Sequence, residues 1–186
     1  GDFSMSTLFV NNINTSTGTT IGVASGKTLD VSSGTLIPSV DQIVQTQTLV
    51  IPTDTNISTN SDASVYLGKE LTITPKKANS HILLSIHGGM STYSAGAPAA
   101  VWSFYRAVNS GSFSFLDFYQ TMLMNTSYYN IGHNGRRLDE NSYTLGDTIK
   151  YRWYGRCISA TTTVYAQYNQ GGKHSPIVWT AQEIAQ

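Results

Sequence analysis

The chain of 186 residues contains a single cysteine, Cys157, so no disulfide can close within it and its redox compartment is not legible. Charged residues make up only 12%, about half the usual share, and eleven Lys and Arg balance eleven Asp and Glu. That balance excludes a general electrostatic pull toward nucleic acid or an anionic membrane. No apolar run approaches the ~18 residues that a membrane span requires, and no charged-then-apolar signal peptide opens the sequence. The expectation is a protein made in a cytoplasm without a secretion signal of its own, with no membrane insertion. Helical periodicity is missing as well: nowhere does an apolar pattern at three and four residues persist beyond a turn or two. Aromatic residues are absent between Phe9 and Tyr66, whereas eighteen of them lie from Tyr66 onward. Such a switch separates a narrow segment with no room for rings from a core built on them.

What fills the ring-free segment is a short repeat. Ile13, Ile21, Leu29 and Ile37 recur at a spacing of eight, and Gly18, Gly26 and Gly34 recur at the same spacing. Each copy offers one apolar alternation, Ile21/Val23 or Leu29/Val31, after a Ser/Thr-Gly turn signal. A strand with two apolar residues cannot bury them against itself, so these units become stable only by stacking on neighbours or on identical chains. The predicted result is a thin stalk wound from several copies, most plausibly a homotrimer, packed through Ile13, Ile21, Val23, Leu29, Val31 and Ile37. The alternative is a flexible Ser/Thr/Gly linker. Gly1-Asp2-Phe3-Ser4 ahead of Met5 reads as a cloning remnant, which makes residues 1–4 a tag, 5–40 the stalk or attachment segment and 41–186 the head domain.

The head has the period of strands. Apolar alternation predicts strands over Gln42–Ile51, Val65–Thr74, His81–Gly88, Ala99–Val108, Ser112–Tyr119, Ile149–Ile158, Thr162–Tyr168 and Ile177–Ile184. In Ile149–Ile158 the residues Ile149, Tyr151, Trp153 and Cys157 share a core-facing side, and Lys150, Arg152, Tyr154 and Arg156 share a cationic, wet one. Strands of this number, separated by Gly, Asn, Ser and Pro turns, predict an all-β chain whose head is an antiparallel jelly-roll-like β-sandwich. If strands run simply up and down, the connections Pro75–Asn79, Asn109–Gly111 and Ser159–Thr161 gather at the stalk end. The longer ones, Pro52–Asp62, Gly88–Pro98, Gln120–Gly146 and Asn169–Ser175, then gather at the far end.

Catalytic and metal-binding patterns are weak. His81 and His87 share a strand face but lie about 20 Å apart, too far to bind one metal, and neither HxH nor HExxH spacing occurs. Asp139-Glu140 are neighbours that point to opposite sides of an extended chain, which suits a local salt-bridge cluster with Arg136-Arg137 better than a glycosidase pair. Cys157 has no motif around it and reads as a buried, inert thiol. The expectation is no catalytic residue, no metal and no cofactor, hence no enzyme. Binding is better supported. The far-end connections hold Tyr93, Tyr128, Tyr129, His133, Arg136, Arg137, Lys173 and His174, and such rings, cations and amides suit a bacterial surface glycan: pyranose CH faces stack on rings while hydroxyls need hydrogen-bond partners.

Several segments resemble a known family. Met5-Ser6-Thr7-Leu8 followed by Val10-Asn11-Asn12-Ile13, and the stretch Ser25-Gly26-Lys27-Thr28-Leu29-Asp30-Val31, resemble the amino-terminal repeats of fibre and appendage proteins of tailed bacteriophages, particularly those of marine and freshwater bacteria. Leu71-Thr72-Ile73-Thr74-Pro75 with His81-Ile82-Leu83-Leu84, and the closing Trp179–Gln186, resemble the β-domain that ends such fibres. The resemblance implies trimers, a β-rich stalk and a terminal sandwich, with no catalytic residues to carry over. The chain departs from the long tail fibres in its brevity, which leaves tail fibre, head fibre and capsid decoration open. The expected role is a virion structural protein on the particle's exterior, held to other virion proteins through its amino-terminal segment and contacting the host receptor through its head. A capsid decoration or cement protein is the alternative, and a glycan-degrading tailspike enzyme a more distant one.

Overall fold

The computed structural model describes residues 42–53, 57–93, 99–123, 131–141, 143–158, 163–167 and 175–186, with backbone alone at 90–93, 99, 121–123 and 131. All of these belong to the second of two units of the chain, Pro38–Gln186. The repeat and its packing residues Ile13, Ile21, Val23, Leu29, Val31 and Ile37 lie outside the described residues.

Ten strands succeed one another: β1 (Ile43–Ile51), β2 (Ile57–Thr59), β3 (Val65–Ile73), β4 (His81–Tyr93), β5 (Ala99–Val108), β6 (Ser114–Leu123), β7 (Ile131–Asp139), β8 (Ile149–Cys157), β9 (Val164–Gln167) and β10 (Ile177–Ile184). No helix occurs among the described residues. The antiparallel ladders are nested. β5 pairs with β6 across the turn at Asn109, then β4 with β7, β3 with β8, β2 with β9 and β1 with β10. The chain is thus one long hairpin, and rolling it up brings β10 beside β4 and β8 beside β5. Two sheets result. One is β3-β8-β5-β6; the other runs β1-β10-β4-β9-β2, with β7 also paired to β4. This winding is a jelly roll, the all-β antiparallel sandwich that the alternating segments predict.

The core lies between the sheets, and the strand period explains it. β8 alternates buried and half-buried residues over its whole length, and β10 does the same. Trp102, Trp153 and Trp179 are fully buried, and Phe104 stacks between Tyr119 at 4.7 Å and Trp179 at 5.5 Å. Each such side chain contributes about 1.5–3 kcal/mol through removal from water. Cys157 is buried in the same core.

Two buried carboxylates pin the ends of the strands. Asp139, at the end of β7, accepts from Arg106 Nη1 at 2.6 Å, from Tyr151 Oη at 2.7 Å and from the hydroxyl of Tyr143. Burial, and then the Asp139 carboxylate, push both tyrosines well above the usual phenol range, so they remain donors at any ordinary pH. Glu183 of β10 is fully buried and accepts from the Lys77 backbone N–H at 2.8 Å, the Ser80 hydroxyl at 2.8 Å and Gln45 Nε2 at 2.7 Å. One carboxylate therefore fastens the β3–β4 turn to both β1 and β10.

Several expectations are corrected. The supposed long connection Gln120–Gly146 contains β7, whose core-side positions are His133, Gly135 and Asp139 rather than aliphatic residues. Gly135 is required there, because a Cβ would run into the Tyr119 ring. Gly88-Gly89 lie inside β4, where positive φ at both residues makes the bulge that shifts the β7 register between Gly88 and Ser91. Finding β7 also reverses the end reached by β8: the Cys157 N–H donates to Ser61 O, whereas Asn109 and Asn79 bond to the β7–β8 connection at Thr148 and Tyr143. The connection after β8 therefore departs from the end opposite to the one expected for Ser159–Thr161.

Candidate functional site

The four-stranded sheet carries aromatic rings on both of its faces. Cross-strand register places the outward ones in a row. Tyr66 of β3 lies opposite Tyr154 of β8, ring centroids 5.8 Å apart. Tyr154 stacks on Tyr105 of β5 at 4.0 Å, Tyr105 meets Phe115 of β6 edge-on at 5.7 Å, and Phe115 leans on Phe118 at 4.6 Å. The row crosses all four strands, built from the aromatic pairs that stabilise antiparallel neighbours. Its flanks are open: Tyr66 is 40%, Phe115 46% and Phe118 48% exposed.

A cation closes one side of the row. The Arg152 guanidinium sits 3.8 Å from the Phe113 ring centroid and 4.5 Å from that of Tyr66, and its Nε donates to Glu70 Oε2 at 2.8 Å. The Glu70 hydrogen bond raises the Arg152 pKa, and partial burial raises that of Tyr66. Arg152 thus has two ring partners and one carboxylate partner. The face that sequence alternation predicts as cationic and wet does carry Lys150, Arg152 and Arg156, all half-buried, and adds a ring row beside which the Arg152 charge is paired with Glu70. Such a surface can cover apolar faces of a ligand while tyrosine hydroxyls meet its polar groups. Among the described residues no group of three or more His, Cys, Asp or Glu could hold a metal ion.

The residues singled out in the sequence fall elsewhere. His133 is a correction: it is 2% exposed, within β7, and no part of a surface loop. Its Nε2 lies 2.5 Å from Ala166 O and its Nδ1 3.0 Å from Tyr119 Oη. A carbonyl only accepts, so Nε2 carries the proton and Nδ1 accepts from the Tyr119 hydroxyl. Burial raises the Tyr119 phenol well above its usual range, which keeps that donor protonated. The His133 ring meets Trp153 and Trp102 edge-on, and burial lowers its pKa to about 4, so it is a neutral core residue.

Arg136 and Arg137 are likewise strand residues of β7. Both are exposed, and Arg137 reaches Asp117 of β6 at 3.1 Å, tying together the free edges of the two sheets. The expected local acidic-basic cluster does not form, because Asp139 pairs across the core with Arg106. Tyr93 ends β4 with its side chain outside the described residues, and Tyr128, Tyr129, Lys173 and His174 lie outside them altogether. The described structure therefore brings none of these candidates together. The outward row has a signal in the sequence: Tyr154 and Tyr105 sit out of phase with the core positions of their own strands.

No family model matches the sequence, and no curated protein matches it. Among solved structures, the structure of the infectious bursal disease virus Gx strain aligns with 89% of this chain and 46% of that chain, at 12% identity and a TM-score of 0.23. The chain thus spans about half the length of that viral protein.

Proposed function

We propose that this chain is a non-enzymatic virion structural protein of a tailed bacteriophage, a short fibre or appendage on the exterior of the particle. In this reading the repeat over residues 5–40 assembles three copies and attaches them to other virion proteins, and the sandwich contacts the host surface. The observation that carries the binding role is the half-exposed ring row Tyr66-Tyr154-Tyr105-Phe115-Phe118. Rings left open to water on a sandwich that already buries three tryptophans add little to folding and much to recognition, since interface centres are enriched in aromatic residues and depleted of charge. A bacterial surface polysaccharide fits the chemistry: CH faces for the rings, hydroxyls for the phenols.

The test is retention of the full chain on a panel of immobilised bacterial surface polysaccharides, with the eluate assayed for released oligosaccharide. Retention on at least one member without release is expected. Release would make the protein a depolymerising enzyme. Absence of retention throughout would remove the glycan-contact role and favour a decoration protein that only stabilises the capsid.

A further inference from the structure

Sheet edges expose unpaired backbone donors and acceptors, and proteins blunt them with charge, bulges, proline or brevity. Four edges of this sandwich follow that rule. β2 has three residues; β3 carries Lys69, Glu70 and a register shift between Tyr66 and Glu70; β6 carries Asp117 in ion pairing with Arg137; β7 carries Arg136, Arg137 and the shift facing Gly88. β1 does so only at its start, where the register shifts between Ile43 and Gln45. Its nine residues, IVQTQTLVI, include no charge, no proline and no glycine, and from Gln45 to Ile51 it keeps unbroken register with β10. Among the described residues nothing pairs with its other edge. Gln45 Nε2 donates to Thr74 O, just past β3, at 2.6 Å.

The sequence of β1 is also nearly a palindrome about Gln47. Ile43 mirrors Ile51, Val44 mirrors Val50 and Thr46 mirrors Thr48; Gln45 and Leu49 alone differ. From this we infer that β1 is a self-docking edge, which pairs antiparallel with β1 of a second copy about a two-fold axis through Gln47. In that register Thr46 faces Thr48 of the second copy, within the stretch Gln45–Ile51 whose ladder is regular. Threonine and β-branched pairs are the ones that stabilise antiparallel strands, and a two-fold interface needs only such self-complementarity. Thr46, Thr48 and Val50 are exposed, and their neighbours across β10, Gln182, Thr180 and Val178, are uncharged too, so no like charges meet across the seam. This pairing is independent of the stalk and goes beyond the proposed function: it joins copies in twos, giving two chains alone or six when combined with a threefold repeat.

Sedimentation equilibrium of the full chain tests it. The wild type should show a mass that is an even multiple of the chain mass. Thr46→Lys with Thr48→Lys sets four lysines face to face and should halve that mass, with far-ultraviolet circular dichroism and melting temperature unchanged. Thr46→Lys with Thr48→Glu puts each lysine opposite a glutamate in this register alone and should restore the wild-type mass. A wild type that is a monomer or an odd multiple, a double-lysine variant of undiminished mass, or a Lys/Glu variant that stays at half mass would each overturn the proposal.

Discussion

The two faces of the sheet β3-β8-β5-β6 are both aromatic, yet they differ sharply in exposure. On the inner face Trp102, Phe104, Tyr151 and Trp153 have no contact with water, and the Asp139 carboxylate and the His133 ring near them are drawn into defined bonds. On the outer face Tyr66, Phe115 and Phe118 keep 40–48% of their surface open. The same residue types in alternate positions of the same strands therefore divide the labour. Inner rings hold the fold, and in the proposed function the outer rings are the ones that meet a partner.

That division is breakable by substitution, and the expected costs to stability run in order of burial. Trp153→Ala empties the centre of the core and should cost roughly 3–5 kcal/mol in chemical denaturation. Asp139→Ala comes next. It leaves the hydroxyls of Tyr143 and Tyr151 without their acceptor and Arg106 without its counter-charge, for a loss on the order of 3 kcal/mol. Acid should act on His133. The folded ring titrates near 4 and an unfolded one near 6.5, so the unfolded chain takes up the extra proton between these values, and stability falls as pH drops through that window. The contribution is about 2 kcal/mol by pH 5, read as a fall in melting temperature that a His133→Gln variant should lack. Phe118→Ala on the outer face should cost less than about 1 kcal/mol, since half of that ring is already in water.

The inner face was largely legible in the sequence, because Ile149, Tyr151, Trp153 and Cys157 recur at the period of two that a half-buried strand imposes. Strands such as Ala99–Val108 and Ile177–Ile184 were legible to the residue for the same reason. β7 was not, since His133, Gly135 and Asp139 occupy its core-side positions. Each is explained only by a distant partner: Ala166 and Tyr119 for His133, the Tyr119 ring for Gly135, and Arg106 with Tyr151 for Asp139. Hydrophobic periodicity cannot register a strand whose inner residues are polar or absent. The outer face was half legible. Tyr154 lies visibly out of phase with the core, but that its ring continues through Tyr105 to Phe115 depends on register between strands, which no single segment encodes.

The most direct test of this division of labour combines two readings on one variant, Tyr66→Ala with Phe115→Ala and Phe118→Ala, made in the full chain. Thermal unfolding and retention on the immobilised bacterial polysaccharides that hold the wild type are measured in parallel. The expected result is a melting temperature lowered by no more than about 10 °C together with loss of retention. Undiminished retention at an unchanged melting temperature would contradict the account, because it would place the contact surface away from the outer rings.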